Sequence, residues 1–193
     1  MSIDEKIKEL GFKKILIADD TKENLDAAKK YFENEVVKYG VSFIYCSSGE
    51  AARNEIKKEF DTGKKVDFVM TDLQMETKNA GCDVLIEAYK YGAEGVVITG
   101  RNYQNPDDHG HGPITYIKSI YPDFENLNAK GRKSKYEVWK QCFEKSLILV
   151  SESPIHAAIE RYGKFVSKQN VTGRADVMHM IKFSIESYIR EEE

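Results

Sequence analysis

From residue 14 to residue 99, short apolar runs alternate with stretches in which apolar residues recur every three or four positions. That alternation is the mark of strand–helix–strand units and predicts a parallel sheet wound with helices. Lys14-Ile15-Leu16-Ile17-Ala18 reads as a buried strand running into Asp19-Asp20. Thr21 caps the next helix, whose inward face carries Leu25, Ala28, Phe32 and Val36. Val41 to Cys46 forms a second strand, and Ser47-Ser48-Gly49-Glu50 turns it into a helix with Ala51, Ala52, Ile56 and Phe60. Val66 to Thr71 is the third strand, ending on Asp72; a loop to Gly81 leads into a helix with Val84, Leu85, Ala88 and Tyr89. Gly95 to Thr99 is the fourth strand, closed by Gly100.

Beyond Gly100 the pattern breaks. Residues 100–133 are rich in Asn, Asp, Gly, His and Pro, and are too long and irregular for an ordinary connection. Ser134 and Glu137 have capping-box spacing and open a short helix with Val138, Trp139, Cys142 and Phe143. Leu147 to Val150 reads as the fifth strand. Ser153-Pro154 starts a helix with Ile155, Ala158, Ile159, Tyr162 and Val166, and Thr172 caps a last one with Val177, Ile181, Ile185, Tyr188 and Ile189. The expected organisation is a domain over 1–168 with an insertion at about 100–145, then a C-terminal helical extension over 169–193.

Composition narrows the class. A hydrophobic share of 41% beside 32% charged residues provides a core and argues against disorder. No apolar run approaches the roughly 20 residues that span a bilayer. The 29 basic and 32 acidic residues leave a net charge of -3, with no global pull toward nucleic acid or a membrane surface. Met1 to Lys6 lacks the apolar run of a leader, and Cys46, Cys82 and Cys142 form no CxxC pair, so a cytoplasmic protein is expected.

In a sheet of this kind, ligands bind at the carboxyl ends of the strands. Those ends bear Asp19-Asp20, Asp72 and Thr99. With the strand order 2-1-3-4-5, strands one and three are neighbours and the three carboxylates converge. Such a cluster is self-repulsive without a cation, and hard oxygen ligands suit Mg²⁺. A carboxylate there can act as nucleophile toward a phosphoryl group, with the Thr99 hydroxyl bonding one of its oxygens. Asp also favours helix caps, so each acid alone has a structural explanation; three acids and Thr99 in this order do not share one.

These residues resemble the receiver domain of response regulators in two-component signalling. The resemblance rests on Ile-Leu-Ile-Ala-Asp19-Asp20, on Ser48-Gly49-Glu50-Ala51-Ala52, on Asp72-Leu73-Gln74-Met75 leading to Gly81, and on Val-Val-Ile-Thr99-Gly100. It covers residues 13–100 well and 146–167 loosely. It implies a flavodoxin-like, doubly wound five-stranded parallel sheet, with an insertion between strands four and five marking an atypical member. It also implies Asp72 as phosphoacceptor, Mg²⁺ held by Asp19, Asp20, Asp72 and the Gln74 backbone carbonyl, and a histidine kinase or phosphotransfer protein as donor.

Two departures stand out. The family carries a Lys before Pro at the end of strand five, where this chain reads Ser151-Glu152-Ser153-Pro154; Lys145 lies at the wrong end of that strand. Glu76 stands where the family has proline after Met75. Arg101, two residues past Thr99, or His109 or His111 in the Gly-rich loop could then take the lysine's place. The run Lys130, Arg132, Lys133 and Lys135 reads as a solvated turn rather than a nucleic-acid contact.

The leading expectation is a stand-alone phosphoacceptor module rather than a turnover enzyme, with an unnamed output partner and room for homodimerisation through the last helix. A pseudo-receiver that binds proteins without phosphorylation is the alternative, motivated by the absent lysine and the enlarged connection after strand four. A haloacid-dehalogenase-type Mg²⁺ phosphohydrolase is the third; it requires Asp-x-Asp, whereas this chain has Asp19-Asp20-Thr21.

Overall fold

Side chains along the strands alternate between two apolar clusters, one on each face of a parallel sheet. The structure, a computed structural model, describes residues 2–77, 80–99, 127–128 and 132–152. The strands are β1 (Lys14–Ala18), β2 (Ser42–Cys46), β3 (Phe68–Asp72), β4 (Glu94–Thr99) and a two-residue β5 (Leu127–Asn128). Their order is β2-β1-β3-β4-β5, with every neighbouring pair parallel. This is the expected flavodoxin-like order, in which the chain reverses direction across the sheet between β1 and β3.

The helices are α1 (Ile3–Glu9), α2 (Lys22–Tyr31), α3 (Gly49–Asp61), α4 (Ala80–Lys90) and α5 (Tyr136–Glu152). Leu16, Ala18, Val69 and Val97 pack against Ala52 and Ile56 of α3 and Val84, Leu85 and Ala88 of α4. On the other face Ile15, Ile17, Phe68, Met70, Val96 and Ile98 meet side chains of α1, α2 and α5. The period of two along each strand thus divides one apolar run between two cores. α2 continues through a π-helical turn, Phe32–Val36, and a 3-10 turn, Val37–Tyr39, which Gly40 ends with φ +80°. The inward residues Leu25, Ala28, Phe32 and Val36 are all buried, as their spacing predicts. Among the described residues no helix is long and apolar enough to cross a membrane, and the three cysteines are buried and unpaired.

The fifth strand is not where the sequence reading puts it. Leu147 to Val150 belongs to α5, a single 17-residue helix that begins close to the expected Ser134–Glu137 start. Its buried positions Trp139, Cys142, Phe143, Ser146, Leu147 and Val150 recur at steps of three and one, while Ile148 is exposed. That is a helical stripe, and each large side chain in it gains about 1.5–3 kcal/mol from burial. Sheet pairing passes instead to Leu127–Asn128, within the segment expected to be an insertion, whose Cα partners are Ile98 and Thr99. The expected helix from Ser153 and the extension over 169–193 lie outside the described residues, as do Arg101, His109 and His111.

Candidate functional site

Parallel strands bring their carboxyl ends to one edge, and here the acids gather on it. Asp72 ends β3 and pairs in register with Ile98, placing it one residue from Thr99 at the end of β4. Asp19 and Asp20 follow directly on β1. One oxygen from each of Asp19, Asp20 and Asp72 can be chosen so that all three lie within 4.8 Å of one another. Asp19 is fully buried, Asp72 half-buried and Asp20 exposed. Thr99 is buried, and Gln74 lies half-buried in the loop after β3.

A lysine stands among these acids that the sequence reading assigns to a solvated turn. Lys133 Nζ lies 2.7 Å from Asp19 Oδ2 and 2.6 Å from Asp72 Oδ1, with its side chain only 10% exposed. In sequence it comes five residues after β5, so a lysine does follow the last strand once that strand is placed at Leu127–Asn128. Ser151 and Glu152 lie on α5 rather than at a strand end, and Ser153-Pro154 fall outside the described residues. Lys145 is exposed on that helix, while Arg132 and Lys135 flank Lys133 and face solvent.

The acids are held by their surroundings in different ways. Asp19 Oδ1 accepts from the Thr21 backbone N–H at 3.0 Å and from the Asn24 amide at 2.9 Å, and Oδ2 accepts from the same amide at 3.1 Å. Asp19 therefore tethers the start of α2, while Thr21 occupies the N-cap position without a side-chain cap bond. Asn24, one turn into α2, is a second participant that the motif reading missed. Burial raises the Asp72 carboxyl above the ordinary carboxylate range; Lys133 opposes that shift and the neighbouring Asp19 reinforces it.

Two contacts fix the backbone around Asp72. The Gly81 N–H donates to the Leu73 carbonyl at 3.1 Å, and a Cβ on Gly81 would lie 2.0 Å from the Asp72 carbonyl oxygen. Only glycine lets α4 approach so closely. Glu76, where proline was expected, turns its carboxylate onto the start of α3: Oε2 accepts from Gly49 N at 2.9 Å and Oε1 from Glu50 N at 2.8 Å. Those amides would otherwise be without partners in the first turn, and the helix dipole favours an anion there. Bonding to them lowers the Glu76 pKa although its partial burial acts the other way.

The donor set suits a small hard cation. Three carboxylates and one ammonium, all ionised, carry a formal charge of −2, which one divalent ion offsets. Mg²⁺ binds oxygen at about 2.0–2.1 Å, so the carboxylate oxygens need a modest side-chain rotation to meet around it. Asp20 is exposed on the open side of the cluster, where waters can complete the coordination.

No family model matches the chain, and no curated protein matches its sequence. Among solved structures it is similar to the isolated REC domain of RcsB from Salmonella enterica serovar Typhimurium, determined in the presence of the phosphomimetic BeF3-. The identity is 18% and the TM-score 0.45, over 69% of this chain and 89% of that one. It is also similar to the RcsB response regulator of Salmonella typhimurium in a study of its DNA interaction. There the identity is 17% and the TM-score 0.48, over 79% of this chain and 67% of that one.

Proposed function

We propose that this chain is a receiver-like phosphoacceptor module that carries a phosphoryl group on Asp72. The observation that supports it best is Lys133, a largely buried cation 2.6 Å from the Asp72 carboxylate and 2.7 Å from Asp19. Helix capping by itself does not call for a buried ammonium shared between two acids that follow different strands. A site that must gain phosphoryl charge does, because an offsetting cation is already in place.

In the proposed step an Asp72 carboxylate oxygen attacks phosphorus. A new O–P bond forms as the bond from phosphorus to the donor breaks, and its electron pair leaves with the donor. Asp72 must be ionised to attack, and Lys133 favours that form against the effect of burial. The ammonium then lies within reach of a phosphoryl oxygen on Asp72. Thr99, at the end of the adjacent strand, supplies a hydroxyl on the same edge. Mg²⁺, held by Asp19, Asp20, Asp72 and the Gln74 carbonyl, would offset charge on the transferring oxygens. The donor class implied by the family resemblance is a histidine kinase or phosphotransfer protein. Lys133 supports this reading over the pseudo-receiver by supplying a cation beside Asp72, and the Asp19-Asp20-Thr21 sequence lacks the second acid of a haloacid-dehalogenase-type enzyme.

The test is incubation with acetyl phosphate and Mg²⁺, followed by intact-mass analysis. One phosphoryl group per chain, stable to acid, labile to base and lost in Asp72→Asn, is expected. No adduct, or an adduct that persists in Asp72→Asn, would refute the assignment.

A further inference from the structure

Lys133 lies outside regular secondary structure, three residues before α5. A long flexible side chain on such a segment loses considerable entropy when held against two carboxylates, so its backbone must be anchored for the contact to persist. The anchor is the chain's single tryptophan. Trp139 Nε1 donates to the Lys133 carbonyl at 2.7 Å, a short bond for an indole donor. The Trp139 ring is 1% exposed and meets Phe32 edge-on at 6.5 Å between centroids. Phe32 in turn packs edge-on against Phe143, 5.2 Å away, and stands at the junction of α2 with its π-helical turn. The carbonyl of the cation-bearing residue is thus pinned to a cluster of fully buried aromatic rings.

We propose that Trp139 is a positioning residue for the acidic site. Its indole N–H fixes the Lys133 backbone, so that the ammonium stays between Asp19 and Asp72 and is available to a phosphoryl group. Tryptophan differs from phenylalanine here in one decisive respect: a buried apolar ring fills the core in either case, but only the indole carries a donor at the ring edge. Core packing would be met by several apolar residues; the bond to Lys133 would not.

This inference rests on Asp72 accepting phosphoryl, and the experiment separates the two claims. Initial rates of Asp72 labelling by acetyl phosphate are compared for wild type, Trp139→Phe, Lys133→Ala and the double variant. Loss of one buried hydrogen bond that holds the cation is expected to slow labelling about tenfold in Trp139→Phe. In the Lys133→Ala background the same substitution is expected to change nothing, because the group it positions is gone. Equal slowing in both backgrounds, or no slowing in either, would overturn the positioning role and leave Trp139 as packing.

A second arm needs neither metal nor phosphodonor. Urea unfolding, followed by circular dichroism, measures the coupling between Lys133→Ala and Asp72→Asn with and without Trp139→Phe. Positioning requires the coupling to shrink when the indole donor is removed, whereas a packing role lowers stability and leaves the coupling intact. If wild type takes no label, the phosphoacceptor reading fails and this arm alone decides the role of Trp139.

Discussion

In the proposed function Asp72 must do two opposed things: stay largely buried at a strand end and remain ionised to accept a phosphoryl group. Burial raises its pKa in the fold, so the carboxyl ionises more readily in the unfolded chain. Its contribution to stability is therefore full below the ordinary carboxylate range and is lost as pH rises through the raised folded value. At neutral pH in metal-free buffer the ionised group destabilises the fold, and removing its charge should help. Asp72→Asn is expected to unfold at a higher temperature than wild type at pH 7. The gap should narrow toward about pH 3, where wild type is also protonated. Lys133 retains Asp19 as a partner in that variant, which limits what is lost. A thermal scan at several pH values reads this directly, and a variant less stable than wild type at neutral pH would contradict the assigned balance of burial and pairing.

At the scale of elements, the site depends on how helices meet strand ends. α4 lies so close to the Asp72–Leu73 backbone that a methyl group on Gly81 would overlap the Asp72 carbonyl. Gly81→Ala must therefore push α4 outward or shift the strand end, and overpacking of this kind costs about 1–3 kcal/mol. It should lower the urea midpoint and also slow Asp72 labelling, since the displaced backbone carries the proposed nucleophile. Stability and labelling both at wild-type values would show that the approach is not so tight. Glu76 works at the neighbouring joint, tying the loop after β3 to the first amides of α3. Ser48 closes the same helix start by accepting from Ala51 N at 3.1 Å. The loop that bears Gln74 is thus fastened at one side to α3 and at the other to α4.

For the whole molecule, the four long strands were legible because β1, β3 and β4 are mainly apolar runs meeting Asp or Thr at their carboxyl ends, the pattern of strands buried on both faces, and β2 carries Phe43-Ile44-Tyr45-Cys46. Their order came with the fold type rather than from the runs. Parallel strands in that order place Asp19, Asp20, Asp72 and Thr99 together on one edge. Lys133 could not be placed in this way, because its position depends on where the fifth strand ends. Leu147-Ile148-Leu149-Val150 has the length of a strand and the composition of a buried helical turn, and four apolar residues do not distinguish them. The stripe from Trp139 through Phe143 and Leu147 to Val150 does, but only when followed across the full helix. Leu127–Asn128 is too short to announce itself, and Lys133 then reads as one charge in a basic turn. The hydrogen bond from Asn24 to Asp19 was hidden for another reason: it joins a loop acid to a polar position on a helix, with no spacing that marks it.

The central claim is that Asp19, Asp20, Asp72 and Lys133 form one cation-dependent phosphoacceptor site. Its most direct test is a Mg²⁺ titration with and without beryllofluoride, followed by the emission of Trp139 and repeated on Asp72→Asn. Because the indole is bonded to the Lys133 carbonyl, movement of the lysine toward a phosphoryl mimic should alter that emission. A saturable Mg²⁺ response, a further change with beryllofluoride, and loss of that change in Asp72→Asn are expected. Emission indifferent to both, with calorimetry showing no Mg²⁺ binding, would contradict the account and leave the three acids as helix caps around a buried lysine.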